Sequence, residues 1–376
     1  MLIRYDELTF PEVDELPREL PVLLPLGPCD ESELRALAAR SGAARLIVLP
    51  AMPFGFGAPL AVPSFAPLAS SVLATLREDG FRRLVVFGPP GLDLDAELAE
   101  REASPCAVPP GGGRLALIST GHTEQHGFHL PLSTDTLIIE ALAQEVEQAA
   151  PAAVWRLPTW PYGVSMHRRQ FPGTLSADPR IWEDFWVEIV GVLAGQGFPG
   201  VYLINGHGGN HSFLVNIVKF CGERWPEMFV ATSFLHTSSG EAERLLQELR
   251  ESRVMGHACE LETSYILHLR PDLVHMDRVV DEPDFVSTPS YRMDWVGEGA
   301  LVANPAWTDD SRTGSYGNPS RGTAEKGRRW LEAAAAELVR HVHEIRDQQQ
   351  RRAERREQGW TEGAWRPLWH QRKVGA

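Results

Sequence analysis

Between Ser119 and Thr136 the chain reads STGHTEQHGFHLPLSTDT, which sets Glu124, His126, His129 and Asp135 close together behind an apolar run. A second loop, GHGGN, adds His207. Carboxylates and imidazoles are the donors that a hard-to-borderline divalent cation accepts. A carboxylate can bridge two such ions, and a bridged pair generates a hydroxide nucleophile near neutral pH. No thiolate stands in the motif, which argues against a purely structural zinc site. A single loop histidine is more often a surface group. Glu124, His126, Asp135 and His207, on two loops, make that reading weak. A third piece, MGHACELETSYILHLRP, brings His257, Glu260 and Glu262. A carboxylate here could complete a metal shell, and His257 could shuttle the proton that an amide leaving group needs. Taken alone, the piece is a helix opening with acids near its positive end. Beside two other acid/histidine loops, the functional reading overtakes that one.

Other loops invite weaker readings. GHGGN could cradle a phosphate at a helix start, but it lacks a P-loop lysine and the GxGxxG spacing. Its glycines let the backbone approach a metal or substrate closely. His211, which follows at once, caps or packs the next helix. SMHRRQFPGT (165–174) and RTGSYGNPSRGTAEKG (312–327) are polar and glycine-rich, as loops that gate or line a site are. His167 with Arg168 and Arg169 either meets an anionic substrate or is simply solvated.

These loops need a frame. RLALIST, AAVWRLP, GVYLIN and EMFVATSFL are short apolar runs that predict buried strands. DTLIIEALAQEVEQA, PRIWEDFWVEIVGVLAGQG and HSFLVNIVKFCGERW carry apolar residues at helical spacing, and Gly197 is placed to stop the second of them. Strands alternating with helices predict an α/β fold with a mostly parallel sheet covered on both faces. Such sheets bind ligands at the carboxyl ends of their strands, where both acid/histidine loops fall.

The chain also repeats itself. VLLPLG, ending at Gly27, echoes LALISTG, ending at Gly121; LIVLPAMPFGFG from Leu46 echoes VWRLPTWPYGVS; and GFRRLVVFGPPGLD from Gly80 echoes GFPGVYLINGHGGN from Gly197. The offsets grow through 94, 108 and 117, because two loops are missing from the first copy. One of them is the loop of Glu124, His126 and Asp135, and Pro90 stands where His207 stands. A period of this length predicts a duplicated domain, although any two parallel α/β halves share some pattern. Residues 1–110 are thus expected to be a shortened, degenerate copy without metal ligands, and 111–345 the catalytic domain. A charged tail with Trp360, Trp365 and Trp369, 346–376, should dock on the body or on a neighbouring subunit.

With 376 residues, 43% of them hydrophobic, the chain can bury a large core in more than one ordinary domain. A formal net charge of −14 argues against nucleic acid as a partner. No apolar run approaches the roughly 20 residues of a membrane helix, and the acidic start MLIRYDELTFPEVDELP is unlike a secretory signal. Cys29, Cys106, Cys221 and Cys259 form no CxxC pair and predict reduced thiols in a cytoplasmic protein.

TEQHGFHLPLSTDT, PYGVSMHRRQFPGTLS, INGHGGN, HACELETS and GSYGNPSRGTAEKG, in this order across residues 111 to 345, resemble the creatininase (creatinine amidohydrolase) family. The resemblance implies a three-layer α/β/α unit, a centre of two divalent ions (zinc, with manganese or iron as alternatives) and a homo-oligomer. It implies that Glu124 and His126 each bind one metal, that Asp135 bridges both, and that His207 is a further ligand. Creatininase carries a ligating glutamate two residues past that histidine, where this chain has Gly209. In the branch with this motif a later glutamate, Glu260, would replace it. His257 matches the catalytic histidine, Glu262 an acid behind it, and His167, Gly173, Thr174, Gly208 and Tyr316 are candidates for substrate binding. The departure at Gly209 counts against creatinine as substrate.

The reading that follows is a dinuclear metal-dependent amidohydrolase cleaving an amide, cyclic amide or formamide C–N bond of a small molecule. The alternatives are a peptidase of the same fold that trims a short modified precursor peptide, and a metal-binding pseudoenzyme scaffold. The scaffold is disfavoured because scaffolding does not require every ligand position and His257.

Overall fold

The computed structural model describes residues 1–376 other than 41, 104–105, 236–238, 293–299 and 375–376. The first sheet comprises β1 (Leu2–Arg4), β2 (Val22–Pro25), β3 (Leu46–Val48), β4 (Leu84–Gly88) and β5 (Glu97–Glu100). Its order is β1-β3-β2-β4-β5, and every pair is parallel. Helices α1 (Phe10–Asp14), α2 (Glu31–Arg40) and α3 (Phe65–Glu78) connect these strands. The second sheet comprises β6 (Leu115–Thr120), β7 (Val154–Arg156), β8 (Gly200–Asn205) and β9 (Phe229–Phe234), in the order β7-β6-β8-β9 and again all parallel. Between its strands run α4 (Thr134–Ala149), α5 (Pro179–Gly195) and α6 (His211–Arg224). After α7 (Gly240–Leu249) come β10 (Met255–His257) and α8 (Glu260–Leu269). Then β11 (Tyr316–Gly317) pairs antiparallel with β10, and α9 (Ala324–Glu357) and α10 (Trp365–Val374) close the chain.

Local sequence accounts for these elements. All six residues of β6 and all six of β8 are buried, as central parallel strands covered on both faces must be. Asp178 caps α5 by accepting from the N–H groups of Arg180 and Ile181, with Pro179 at the first helical position. Gly197, at φ +78°, takes the left-handed conformation that ends it.

One apolar core joins the two sheets: Phe54 lies 5.1 Å from Trp160, 6.2 Å from Phe185 and 6.1 Å from Trp186 between ring centroids. A second core fills the far side of the second sheet beneath α4, α8 and α9, and a third lies under α2 on the first sheet. The sequence echoes fall on matching registers. In the first sheet Val22 pairs with Ile47 and Leu84, and in the second Ala116 pairs with Trp155 and Val201. Gly27 donates to Met52 O at 2.8 Å, and Gly121 donates to Trp160 O at 2.9 Å. No helix stands between β4 and β5 where α6 stands between β8 and β9.

Helix α9 runs unbroken through the expected boundary at residue 345, and Trp360, Trp365 and Trp369 stay half or more exposed. Arg355 lies over the Trp360 ring and Arg366 over the Trp365 ring. Among the described residues no helix is long and apolar enough to cross a membrane.

Candidate metal centre

Three segments converge at the carboxyl ends of β6 and β8. The loop after β6 turns through Gly127 at φ +64° and enters α4, on whose first turn Asp135 sits. Its backbone is tied down by Glu124 N–H to Leu132 O (3.0 Å), Leu132 N–H to Leu8 O (2.9 Å) and Ser133 N–H to Asp6 O (2.9 Å). The N-terminal unit therefore braces the loop from outside. After β8, Asn205 accepts from His207 N–H at 3.1 Å and donates to His207 O at 2.7 Å, which fixes the histidine at the strand end. A Cβ on Gly209 would lie 2.1 Å from Val164 O and 2.4 Å from His207 Nε2, so no larger residue fits there without displacing the turn. Ala258, at φ +45°, links His257 to α8; such a conformation in a residue with a Cβ costs about 1–3 kcal/mol and persists where the surroundings impose it.

The buried side chains form two trios that share Asp135. On one side, His207 Nδ1 lies 3.0 Å from Asp135 Oδ2 and 3.1 Å from Glu124 Oε1. On the other, His126 Nε2 lies 3.2 Å from Asp135 Oδ1 and 3.9 Å from Glu262 Oε1. His257 Nδ1 stands 3.8 Å from Glu124 Oε1, with its ring 4.2 Å from that of His126. Ser165 Oγ donates to Glu124 Oε2 at 2.7 Å, which leaves the other oxygen for the centre.

Glu260, expected among the ligands, is elsewhere. Its carboxylate accepts from Lys326 Nζ at 2.6 Å and from the N–H groups of Ser252 (2.6 Å) and Glu251 (3.1 Å). Residues two apart on a helix point about 200° from one another, so only one of Glu260 and Glu262 can face the pocket. It is Glu262 that joins His126 and Asp135.

The charge balance fits a cation. Burial opposes protonation of His207, yet Glu124 and Asp135 outweigh it and push its pKa up to about 9. Burial likewise disfavours the charged His126, but Asp135, Glu262 and Glu124 raise its pKa. Burial would raise Asp135, but His126 and His207 hold it below the usual carboxylate range. Carboxylates buried this deeply need positive charge beside them. Glu124, His126, Asp135, His207 and Glu262 could hold divalent ions, and the buried His126 Nε2, which makes no aligned hydrogen bond, is a donor atom suited to one. His129 differs: burial and the neighbouring His126 press its pKa down to about 3, and its Nε2 lies 2.9 Å from Thr263 Oγ1, a tie between the ligand loop and α8.

Of the expected substrate residues, His167 lies 5.1 Å from Trp307 between rings. Gly173, at φ +90°, donates its N–H to Asp79 Oδ2 at 3.3 Å. Thr174 Oγ1 accepts from Gln125 N–H at 3.2 Å, and Gly208 opens the short turn after His207. Tyr316 is buried, donates to Asp310 at 3.1 Å, and its ring lies 4.4 Å from that of Trp307. Thr174, through Gln125, and His167 and Tyr316, through Trp307, thus touch neighbours of the centre. Sequence reasoning missed Trp307, whose ring lies 4.9 Å from His257, and the roles of His122 and Ser165. The latter two stood inside motifs already singled out; an isolated tryptophan carries no such signal.

The chain matches the family model Creatininase, described as creatinine amidohydrolase, over residues 107–342. It is 32% identical over 272 residues to the mycofactocin precursor peptide peptidase of Mycobacterium tuberculosis, covering 69% of this chain and 93% of that one. It is 26% identical over 249 residues to the creatinine amidohydrolase of Pseudomonas putida, covering 62% and 90%. Among solved structures, a mutant creatininase of Zn-Zn type superposes with a TM-score of 0.52 at 25% identity, covering 62% of this chain and 91% of that one.

Proposed function

Since this chain belongs to the creatininase family, whose members are hydrolases of C–N bonds, we propose that it is a dinuclear metal-dependent amidohydrolase that opens an amide, cyclic amide or formamide bond of a small molecule. The observation that carries the reading is the position of Asp135, whose two carboxylate oxygens face separate pairs, Glu124 with His207 and His126 with Glu262. These five residues would hold two ions, zinc or manganese, with iron compatible with the same donors. When bound, such a pair acidifies a water and polarises the carbonyl oxygen of the bond to be cleaved.

The chain's own residues supply the rest. His257 Nε2 donates to Gln125 O at 2.8 Å, so its Nδ1 faces the pocket with a lone pair. That nitrogen takes a proton and returns it to the departing amine. Trp307 packs against the His257 ring and shields it from water. The 312–317 segment closes over the centre through Gln125 Nε2, which donates to Gly314 O at 3.2 Å. Every donor in the cluster is buried, which supports a small substrate. A second reading, a peptidase that trims a short precursor, is favoured by the relative at 32% identity. Metal analysis followed by assay against cyclic amides, formamides and short peptides tests both. Asp135→Ala should empty or cripple the centre, and full metal content with unchanged activity would exclude the assignment.

The first 110 residues are, in this reading, a degenerate copy of the catalytic unit that holds no metal. Support comes from the matched registers of β2, β3 and β4 with β6, β7 and β8. An ion held by that segment in the Asp135→Ala protein would end the idea. The exposed Trp360, Trp365 and Leu368 support a homo-oligomer in which a neighbour covers them, and four free cysteines support a cytoplasmic setting.

A further inference from the structure

Four imidazoles face the centre, and His122, four residues beyond the end of the apolar run Leu115–Ile118, is one of them. It could form a third ligand group with Glu124 and His207. The partners of the outward ring nitrogens decide otherwise. His126 Nδ1 lies 3.1 Å from Glu124 O, His207 Nε2 3.0 Å from Val164 O, and His257 Nε2 2.8 Å from Gln125 O. A carbonyl accepts and never donates, so each of those nitrogens carries a proton, and the opposite nitrogen is the one left to offer a lone pair inward once its own proton is lost. This is how metal-binding histidines are held. His122 is reversed. Gly163 N–H donates to its Nδ1 at 2.8 Å. A backbone N–H only donates, so Nδ1 holds the lone pair and the proton sits on Nε2. Turning the ring over would set a carbon against the Gly163 N–H, so the hydrogen-bond pattern itself fixes the orientation.

We propose that His122 binds no metal and is a positioning residue that presents Nε2–H toward Glu124. Its Nε2 lies 3.9 Å from Glu124 Oε2, beyond a direct hydrogen bond but close enough for the N–H dipole to favour the carboxylate oxygen in this buried site. That is the same oxygen to which Ser165 Oγ donates at 2.7 Å. The Ser165 hydrogen bond and the facing His122 N–H hold Oε2 outward, and Oε1 is turned to His207 Nδ1 at 3.1 Å. Glu124 then offers the centre one oxygen in a fixed direction. The inference rests on the dinuclear reading of the site.

The test uses the full chain stripped of metal and titrated calorimetrically with Mn²⁺. His122→Asn keeps an acceptor for Gly163 N–H but removes Nε2–H, and the midpoint of thermal unfolding checks that it folds. The wild type should take two ions. His122→Asn should also take two, with about 10–100-fold weaker affinity for at least one, the usual effect of losing a group that orients a ligand. Ser165→Ala should weaken the same ion. An His122→Asn protein that takes fewer ions than the wild type, or that binds both as tightly, overturns the proposal. Nitrogen-15 NMR of the imidazoles in metal-free protein reads the tautomer directly: a bare Nδ1 with a protonated Nε2 supports it, and the reverse refutes it. A wild type that takes no ions fails the dinuclear reading, while the tautomer is still decided by the NMR.

Discussion

Lys326 Nζ stands 2.6 Å from Oε1 of the fully buried Glu260, while Glu262, two residues on, turns to His126. The two glutamates should therefore fail differently. Glu260→Ala leaves the N–H groups of Glu251 and Ser252 unanswered, while Lys326 keeps Glu251, so it should cost about 1–3 kcal/mol of stability with the metal count unchanged. Glu262→Gln should fold normally and bind metal poorly. Chemical denaturation beside metal analysis separates them. Metal loss in a folded Glu260→Ala protein would restore Glu260 to the ligand set.

His257→Ala removes the proposed proton carrier without touching either trio around Asp135. Metal content should stay near that of the wild type, and turnover of a true amide substrate should fall by about 10²–10⁴-fold, the usual worth of a general acid. A metal-depleted His257→Ala protein would make His257 a ligand.

The raised pKa of His207 fixes a sign. Its folded value of about 9 lies above the ordinary 6.5, so in metal-free protein the proton stabilises the fold fully below about pH 6.5. That contribution is lost as the pH rises through about 9. Metal-free protein should melt at lower temperature near pH 10 than near pH 6.5, and His207→Gln should shrink the difference. Between those pH values metal binding should release protons, measured by calorimetry in buffers of different ionisation enthalpy. Binding heats independent of the buffer would contradict it.

Asp79 links the N-terminal unit to Gly173, and burial raises its carboxyl to about 6 despite the Gly173 N–H and Arg18. A carboxyl raised in the fold contributes most below its ordinary value of 3.8, and that contribution is lost as the pH rises through about 6. Asp79→Asn keeps an acceptor for Gly173 without the buried charge. It should raise the melting temperature at pH 7.5, by up to roughly 3 kcal/mol of stability, with the gain fading toward pH 4. An equal gain at both pH values would show that charge is not the cause.

What the sequence by itself determined were the short-range features. The apolar runs of β6 and β8, the helical spacing of α4 and α5, and the arrest at Gly197 depend on local periodicity and backbone preference, and these are written residue by residue. The ligand types of the Glu124–Asp135 loop and of GHGGN were legible for the same reason, because strand ends gather them. The tertiary structure decided between residues whose local signals are equal. Glu260 and Glu262 share a motif and a helix, and which one meets the centre depends on how α8 is rotated against α9 and Lys326. His122 looks like any other imidazole in its loop until Gly163, which is 41 residues away in the chain, supplies the N–H that fixes its tautomer. Trp307 reaches His257 through a fold that closes 50 residues of chain. Contacts of that range are set by packing and by the facing partner, and neither has a pattern along the chain.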